Sequence, residues 1–145
     1  MPTSTRQPSE LVVVTKAKEL CQYVMTITEG SPKRFRFTFV SRMQNLALDI
    51  IECLFRANAT FIGAGSVEAD WRERRDLQHR ALTSAQLLAY VAMLACEQKC
   101  IAPKHFEQIS DRTATCQRMI GGWINSDTKR RSPSDAAGYG QGALR

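Results

Sequence analysis

The sequence predicts an all-α protein, an up-down-up-down antiparallel four-helix bundle. Apolar residues recur at three- and four-residue steps in four segments, and proline and glycine separate these segments from one another. Apolar stripes this wide must be buried, and short connections make successive helices antiparallel neighbours. With 145 residues, the chain has the size of one domain with a single core.

The bundle is expected to cover residues 9–127, with helices at about 9–29, 38–58, 66–99 and 103–126. Ser9 is the expected N-cap of the first helix, which ends at Gly30-Ser31-Pro32. Pro103 suits the first turn of the fourth helix. Residues 1–8 are predicted to be a flexible segment, and residues 128–145 a basic, Gly/Ala-rich disordered tail.

The run from Arg34 to Phe39 alternates between apolar and polar residues, as a strand does. It has no partner strand in the sequence, so we interpret it as a loop that leads into the second helix. Phe35 and Phe37 are candidates for stacking on nucleic-acid bases. Burial at the end of the bundle is the favoured interpretation for both, because phenylalanine is usually buried.

No catalytic or metal site is predicted. The five cysteines are odd in number and lack C-x-x-C spacing, which favours buried thiols over disulfides or a zinc site. Cys96, Cys100 and His105 have no evident fourth ligand, and Pro103 separates them. Asp49 and Glu52 share a helix face but lack the Glu-x-x-His pairs of di-iron bundles. We therefore expect no enzyme activity and no cofactor.

The sequence also predicts a soluble, cytoplasmic protein. No apolar run approaches the roughly 20 residues that a membrane-spanning helix needs. The apolar stretch Leu11 to Val14 is too short for the core of a signal peptide. We expect no membrane partner.

The charge distribution indicates a polyanionic partner. The formal net charge is +6, and residues 31–48 contain four cations and no acid, a local charge of +4: Lys33, Arg34, Arg36 and Arg42. An antiparallel bundle brings this first connection close to Lys99 and Lys104. The cations of the tail, Lys129, Arg130 and Arg131, emerge at the opposite end. Both ends are therefore expected to be electropositive and able to engage phosphates. Contact of the first-connection cations with nucleic acid or an acidic protein surface is one interpretation, and a role in solubility alone is the other.

The arginines near residue 75 have a different setting, because acids lie among them and their stretch sums to zero. Most are expected to form i,i+4 pairs on a solvated face: Glu68 with Arg72, Asp70 with Arg74, Asp76 with Arg80, and likewise Glu52 with Arg56. Arg75 lacks such a partner in the sequence.

Gly121 and Gly122 lie within an apparently helical segment, where each costs about 1 kcal/mol relative to alanine. One interpretation is a fraying helix end, with Trp123 as a final core residue. The other is close approach of a helix from a second subunit, which small residues permit.

Several sequence blocks resemble a known family. They are Lys16-Ala17-Lys18-Glu19-Leu20, Ser41-Arg42-Met43-Gln44-Asn45 with Leu48-Asp49-Ile50 downstream, Arg56-Ala57-Asn58, and Gly121-Gly122-Trp123-Ile124. In this order they look like the accessory variability determinant family, the basic helical partner of the reverse transcriptase in diversity-generating retroelements. The resemblance covers roughly residues 11–127.

The resemblance implies a homopentameric four-helix bundle that binds the reverse transcriptase and RNA or DNA during mutagenic copying of a template repeat. It implies a basic partner-binding surface. With the tail cations, the candidate binding residues are Lys33, Arg34, Arg36, Arg42, Arg75, Lys129, Arg130 and Arg131. For Gly121, Gly122 and Trp123 it implies a structural or oligomer role.

Two other interpretations stay open. The chain also resembles a broader group of bundles encoded within ribosomal RNA intervening sequences, which suggests a structural or protein-interaction bundle without nucleic-acid function. A metal-dependent bundle enzyme that uses Asp49 and Glu52 is the third, and it requires bound metal in the purified protein.

Overall fold

The computed structural model describes residues 8–131, with side chains from residue 12 onward. Four helices run through these residues: α1 (Pro8–Thr28), α2 (Ser41–Ala59), α3 (Glu68–Glu97) and α4 (Pro103–Arg130). Helix α2 packs against α1 and α3, and α4 packs against α3 and α1. This cycle of neighbours is that of an antiparallel four-helix bundle, so the predicted fold class is confirmed.

The core is built from the apolar stripes that the sequence spacing predicted. On α3, small residues dominate this stripe: Ala81, Ala85, Ala92 and Ala95 are fully buried together with Leu88. Larger side chains face them from the other helices, among them Leu20, Met43, Ile50, Leu54, Ile109, Ile120 and Trp123. Small residues on one helix opposite large ones on its neighbours let the axes approach closely while the space is filled.

The helix ends differ from the predicted ones by a few residues. Helix α1 begins at Pro8, which places Ser9 in the first turn rather than at the N-cap. Helix α4 continues to Arg130, so the prediction of a disordered tail is wrong for residues 128–130, which are helical. The expectations for residues 1–7 and 132–145 lie outside the described residues.

The first connection is helical rather than an irregular loop. A 3₁₀ turn (Lys33–Phe35) is followed by a π-helix (Arg36–Val40) that continues directly into α2. The apolar-polar alternation of this segment therefore does not mark a strand. The π-helix contacts both α2 and α3, which fixes the direction from which the chain enters α2.

The connection between α3 and α4 is a tight turn centred on Lys99, which has a positive φ of 65°. The Cys100 N–H donates to the carbonyl of Ala95 at 2.8 Å, and the Lys99 N–H donates to that of Cys96 at 3.0 Å. This pair of bonds is the Schellman arrangement that ends many helices, with Lys99 where glycine is common. It turns the chain within five residues, so that Pro103 begins α4.

A buried ion pair joins α3 to α4. Arg74 Nε donates to Asp127 Oδ2 at 2.6 Å, and its Nη2 donates to Oδ1 at 2.9 Å. Gln78 Nε2 donates to the same carboxylate at 2.9 Å. The Arg74 guanidinium also lies 4.9 Å from the centre of the Trp123 ring. The two charged side chains are only 5% and 6% exposed.

The same arginine closes the end of α2. Its Nη1 lies 3.4 Å from the carbonyl oxygens of Ala57 and Thr60, which belong to the last turn and the C-cap of that helix. The carbonyls at a helix C-terminus lack partners within the helix, and a buried cation satisfies them. Arg74 thus ties together three of the four helices.

Asp127→Asn should destabilise the bundle by about 3–5 kcal/mol, because it leaves the Arg74 charge buried without its counter-charge. The exposed pair Glu52–Arg56 supplies a matched control, and Glu52→Gln should cost less than about 1 kcal/mol. Urea unfolding followed by circular dichroism measures both. The double variant Arg74→Met/Asp127→Leu should recover much of the loss. Equal unfolding free energies for Asp127→Asn and Glu52→Gln would contradict the assigned role.

Candidate nucleic-acid interface

Four exposed cations surround the first connection and the start of α2. We call Lys33, Arg34, Arg36 and Arg42 the first-connection cluster, and all four are exposed. No side chain of the cluster forms an ion pair with any residue between 12 and 131, and Arg34 lies 4.5 Å from the centre of the Phe35 ring. Their charge is therefore directed to solvent and is not neutralised by the protein.

The first connection lies next to the turn between α3 and α4, as the antiparallel topology predicts. Gly30 and Pro32 line one side of an open cleft of about 530 Å³, and Lys99 and His105 line the other. Lys104 is exposed beside His105 in the first turn of α4, a turn that contains no acid. These residues extend the positive charge of the first-connection cluster around one end of the bundle.

The opposite end is less electropositive than the sequence predicted. Arg131 is a candidate binding residue, but its side chain is 3% exposed, pairs with Glu68, and lies 5.2 Å from the centre of the Trp71 ring. It therefore holds the end of α4 against the start of α3 instead of facing a partner. Lys129 and Arg130 are exposed, and Arg130 lies 3.5 Å from Asp127.

Two of the predicted surface pairs are wrong because distant residues take their places, and the predicted pair of Asp76 and Arg80 is also not formed within residues 12–131. Glu68 pairs with Arg131 rather than Arg72, and Arg74 pairs with Asp127 rather than Asp70. The predicted pair of Glu52 and Arg56 is confirmed at 3.3 Å.

Arg75 is half-buried and donates to Thr128 Oγ1 at 3.2 Å. This candidate binding residue therefore lies beside the end of α4, far from the first-connection cluster.

The sequence does contain a signal for the buried arginine, namely its position on an apolar stripe, which the i,i+4 spacing of charges does not show. Arg74 stands three residues after Trp71 and seven before Ala81, on the buried stripe of α3. Asp127 stands four residues after Trp123 and seven after Ile120, on the buried stripe of α4. A charge on each of two facing stripes is the pattern expected for a buried ion pair.

The phenylalanines of the first connection have different environments. Phe35 and Phe39 are half-buried against the core, with ring centroids 5.7 Å apart. Phe37 lies on the other side of the π-helix and is 86% exposed. The interpretation of Phe37 as a core residue is therefore wrong, whereas Phe35 does help to cover the core.

Gly121 and Gly122 lie inside α4, which continues to Arg130, so the fraying interpretation is wrong. A Cβ atom added at either position would meet nothing within 4 Å. Nothing within residues 12–131 of the chain therefore demands glycine at these positions. Trp123 is 1% exposed and belongs to the core, as predicted.

The cysteines behave as core residues. Four of them are buried, namely Cys21, Cys53, Cys100 and Cys116, and Cys96 is half-buried. Burial raises the pKa of the Cys116 thiol to about 11, and it also raises the pKa values of the other three buried thiols. These thiols are protonated at neutral pH and are poor nucleophiles. Within the described residues, no three His, Cys, Asp or Glu side chains are arranged to hold a metal ion.

Of the helices within residues 8–131, none combines the length and the apolar character that a membrane crossing requires. No model of a known protein family matches the chain, and no curated protein matches it. Fold and site together define a basic four-helix bundle with one electropositive end.

The raised pKa of Cys116 predicts a loss of stability in alkali. The unfolded thiol ionises near pH 8.5 and the folded one near pH 11, so the folded state binds more protons between these values. The unfolding free energy should therefore fall as pH rises from 9 to 11. Urea unfolding at several pH values measures this fall, which should be smaller by roughly 1–2 kcal/mol in Cys116→Ala.

Cys96→Ala is the matched control, because it removes a thiol that is only half-buried. Cys116→Ala is expected to be less stable at every pH because it leaves a cavity. Parallel curves of unfolding free energy against pH for the wild type and Cys116→Ala would contradict the raised pKa of the Cys116 thiol.

Proposed function

We propose that this chain is a non-enzymatic accessory subunit of a diversity-generating retroelement. In this role it binds the reverse transcriptase and its RNA or DNA, and it supports mutagenic reverse transcription and the diversification of a target gene. The proposal combines the sequence resemblance, the four-helix bundle and the distribution of exposed charge. According to this proposal, the chain is a cytoplasmic protein that provides a binding surface and catalyses no reaction.

The observation that carries the nucleic-acid part is the first-connection cluster. Its four cations are exposed, lie within ten residues of sequence, and have no acid between residues 31 and 48. A phosphate backbone that meets such a surface releases its condensed counterions, which favours binding and makes it salt-dependent. The buried Arg74 and Arg131 cannot provide the same gain, because Asp127 and Glu68 already neutralise them.

Homo-oligomerisation, with a pentamer implied by the family resemblance, is part of the proposal. It is supported by two adjacent glycines on an open face of α4 where no Cβ would clash. Each glycine destabilises an isolated helix, so close packing against another backbone supplies a reason for its presence.

A second candidate function is a structural or protein-interaction bundle of the type found in ribosomal RNA intervening sequences. Large apolar side chains on α2 and α3 favour it, since they face solvent: Leu48, Phe55, Leu87, Tyr90 and Leu94 are between 36% and 64% exposed. Such side chains are typical of surfaces that meet another protein. This alternative predicts a stable oligomer that has no salt-dependent affinity for nucleic acid.

Reversal of three charges should abolish salt-sensitive RNA binding while the bundle stays folded. Lys33→Glu/Arg34→Glu/Arg36→Glu changes only exposed side chains. The measurement is fluorescence anisotropy with a labelled structured RNA across a salt series. The wild-type affinity should fall steeply with salt, and the variant should show little affinity at any salt concentration.

The matched control is Arg72→Glu/Arg80→Glu/Arg118→Glu, which makes the same change in net charge at exposed positions away from the first connection. It should keep most of the wild-type affinity for RNA.

A native pull-down of each protein from its own cells, with mass spectrometry of bound protein and sequencing of bound nucleic acid, then identifies the partners. Recovery of a reverse transcriptase with an RNA by the wild type and the control alone supports the proposal. A clean oligomer without either would contradict it.

Gly122→Met should raise the stability of the single subunit and lower the amount of oligomer. Gly122 is exposed, so a long helix-forming side chain should stabilise the single subunit by about 1 kcal/mol. The same side chain should block close approach of a second helix and reduce the oligomer measured by native mass spectrometry. Gln108→Met, at another exposed position of α4, is the control and should leave the oligomer intact. An unchanged oligomer in Gly122→Met would contradict packing through the glycines.

A further inference from the structure

We propose that the groove beside the π-helix binds a single-stranded nucleic acid, with one base stacked on Phe37 and the adjacent phosphates held by Arg36 and Arg42. We call it the Phe37 groove, and define it by Phe37, Phe39, Ser41, Arg42, Asn45 and Val91. This inference rests on the proposed function and deepens it, because it specifies which form of nucleic acid is bound and by which contact.

Phe37 is 86% exposed, the largest value among the large apolar residues of the described part of the chain. Its neighbours Phe35 and Phe39 pack against the core, so the local fold is already closed without it. An exposed phenyl ring contributes little to stability, because its apolar surface stays in water after folding. A π-face directed to solvent is, however, the surface on which an unpaired base stacks.

The backbone explains why this ring points outward. Residues 36–40 form a π-helix, with the Ser41 N–H donating to the carbonyl of Arg36. Phe35 and Phe39 are four residues apart and share one side, while Phe37 lies between them and takes the opposite side. π-helical turns are rare and occur frequently at functional sites. Here the turn presents one aromatic ring and holds two others in place.

The walls of the groove suit a nucleotide. The groove has a volume of about 500 Å³, with Val91 of α3 as an apolar wall and Arg42 as a cationic one. Asn45 Nδ2 donates to Ser41 Oγ at 3.3 Å, and both side chains retain further donors and acceptors. Ser41 and Asn45 can therefore hydrogen-bond the edge of a base that stacks nearby.

Charge distinguishes nucleic acid from other occupants. Arg36 and Arg42 flank Phe37 in sequence, both are exposed, and no acid lies within residues 31–48. A purely apolar partner would gain nothing from these guanidinium groups and would have to desolvate them. Aromatic rings alternating with cations are the composition of surfaces that bind single strands. A duplex keeps its bases paired and stacked inside, so it can meet the arginines but not the ring.

The test compares Phe37→Ala with the wild type by anisotropy, with labelled oligouridylate and oligodeoxythymidylate of about 12 nucleotides as probes. Loss of one stacked base should weaken binding about 5- to 150-fold. The slope of affinity against salt should stay unchanged, because no phosphate contact is removed. Arg36→Gln/Arg42→Gln should instead make that slope shallower.

Phe37→Trp provides a direct readout of stacking. The two native tryptophans, Trp71 and Trp123, are 8% and 1% exposed, so a tryptophan at position 37 is the one that an added oligonucleotide can reach. Its fluorescence should be quenched on binding, with near wild-type affinity. Phe55→Ala is the matched control, because this ring of α2 is 64% exposed and lies beside the paired Glu52 and Arg56. It should bind as the wild type does.

The outcomes separate this inference from the proposed function. Wild-type affinity in Phe37→Ala, or an equal loss in Phe55→Ala, would overturn stacking on Phe37, even if charge reversal at Lys33, Arg34 and Arg36 still abolishes binding. A change of oligomeric state in Phe37→Ala with unaltered affinity would mean that the groove receives a protein surface. Absence of any nucleic-acid binding by the wild type would overturn the proposed function as well.

Discussion

The buried ion pair of Arg74 and Asp127 is the interaction on which the arrangement of α2, α3 and α4 depends. Two charges leave water to form it, and the cost is offset only because the carboxylate receives both Arg74 and Gln78 while the guanidinium also reaches backbone carbonyls. That set of partners exists in one relative position of the helices. The pair therefore selects a register for α3 against α4, whereas apolar contacts alone tolerate small shifts.

The same interaction explains the asymmetry between the two ends of the bundle. At one end, Arg74 forms an ion pair with Asp127, and Arg131 forms one with Glu68. Trp123 lies against Arg74, and Trp71 lies against Arg131. At the other end the four cations of the first-connection cluster form no ion pair with residues 12–131, and they face solvent. Residues 31–48 therefore carry a local charge of +4 at this end. A polyanion that approaches the protein is attracted towards that end.

In the first connection, packing decides which structure the alternation of apolar and polar residues adopts. Its alternating phenylalanines and arginines resemble a strand, but the chain has no second strand with which to pair. A 3₁₀ turn followed by a π-helix satisfies the backbone internally and lets two of the three rings reach the core. The third ring and the arginines then share the outer surface. This juxtaposition of ring and charge is a consequence of the helical path.

The sequence by itself determined the four helices, their order and the apolar stripes that form the core, because helical periodicity is a local property that each segment carries alone. It also located the acid-free cluster of Lys33, Arg34, Arg36 and Arg42, since a deficit of acids can be read from the chain. Only the tertiary structure decided which charges stay free. Arg74 and Arg131 find their carboxylates 53 and 63 residues away, because the packing of α3 against α4 brings these side chains together. The outward direction of Phe37 was likewise decided by packing, because the core accommodates only the rings on one side of the π-helix.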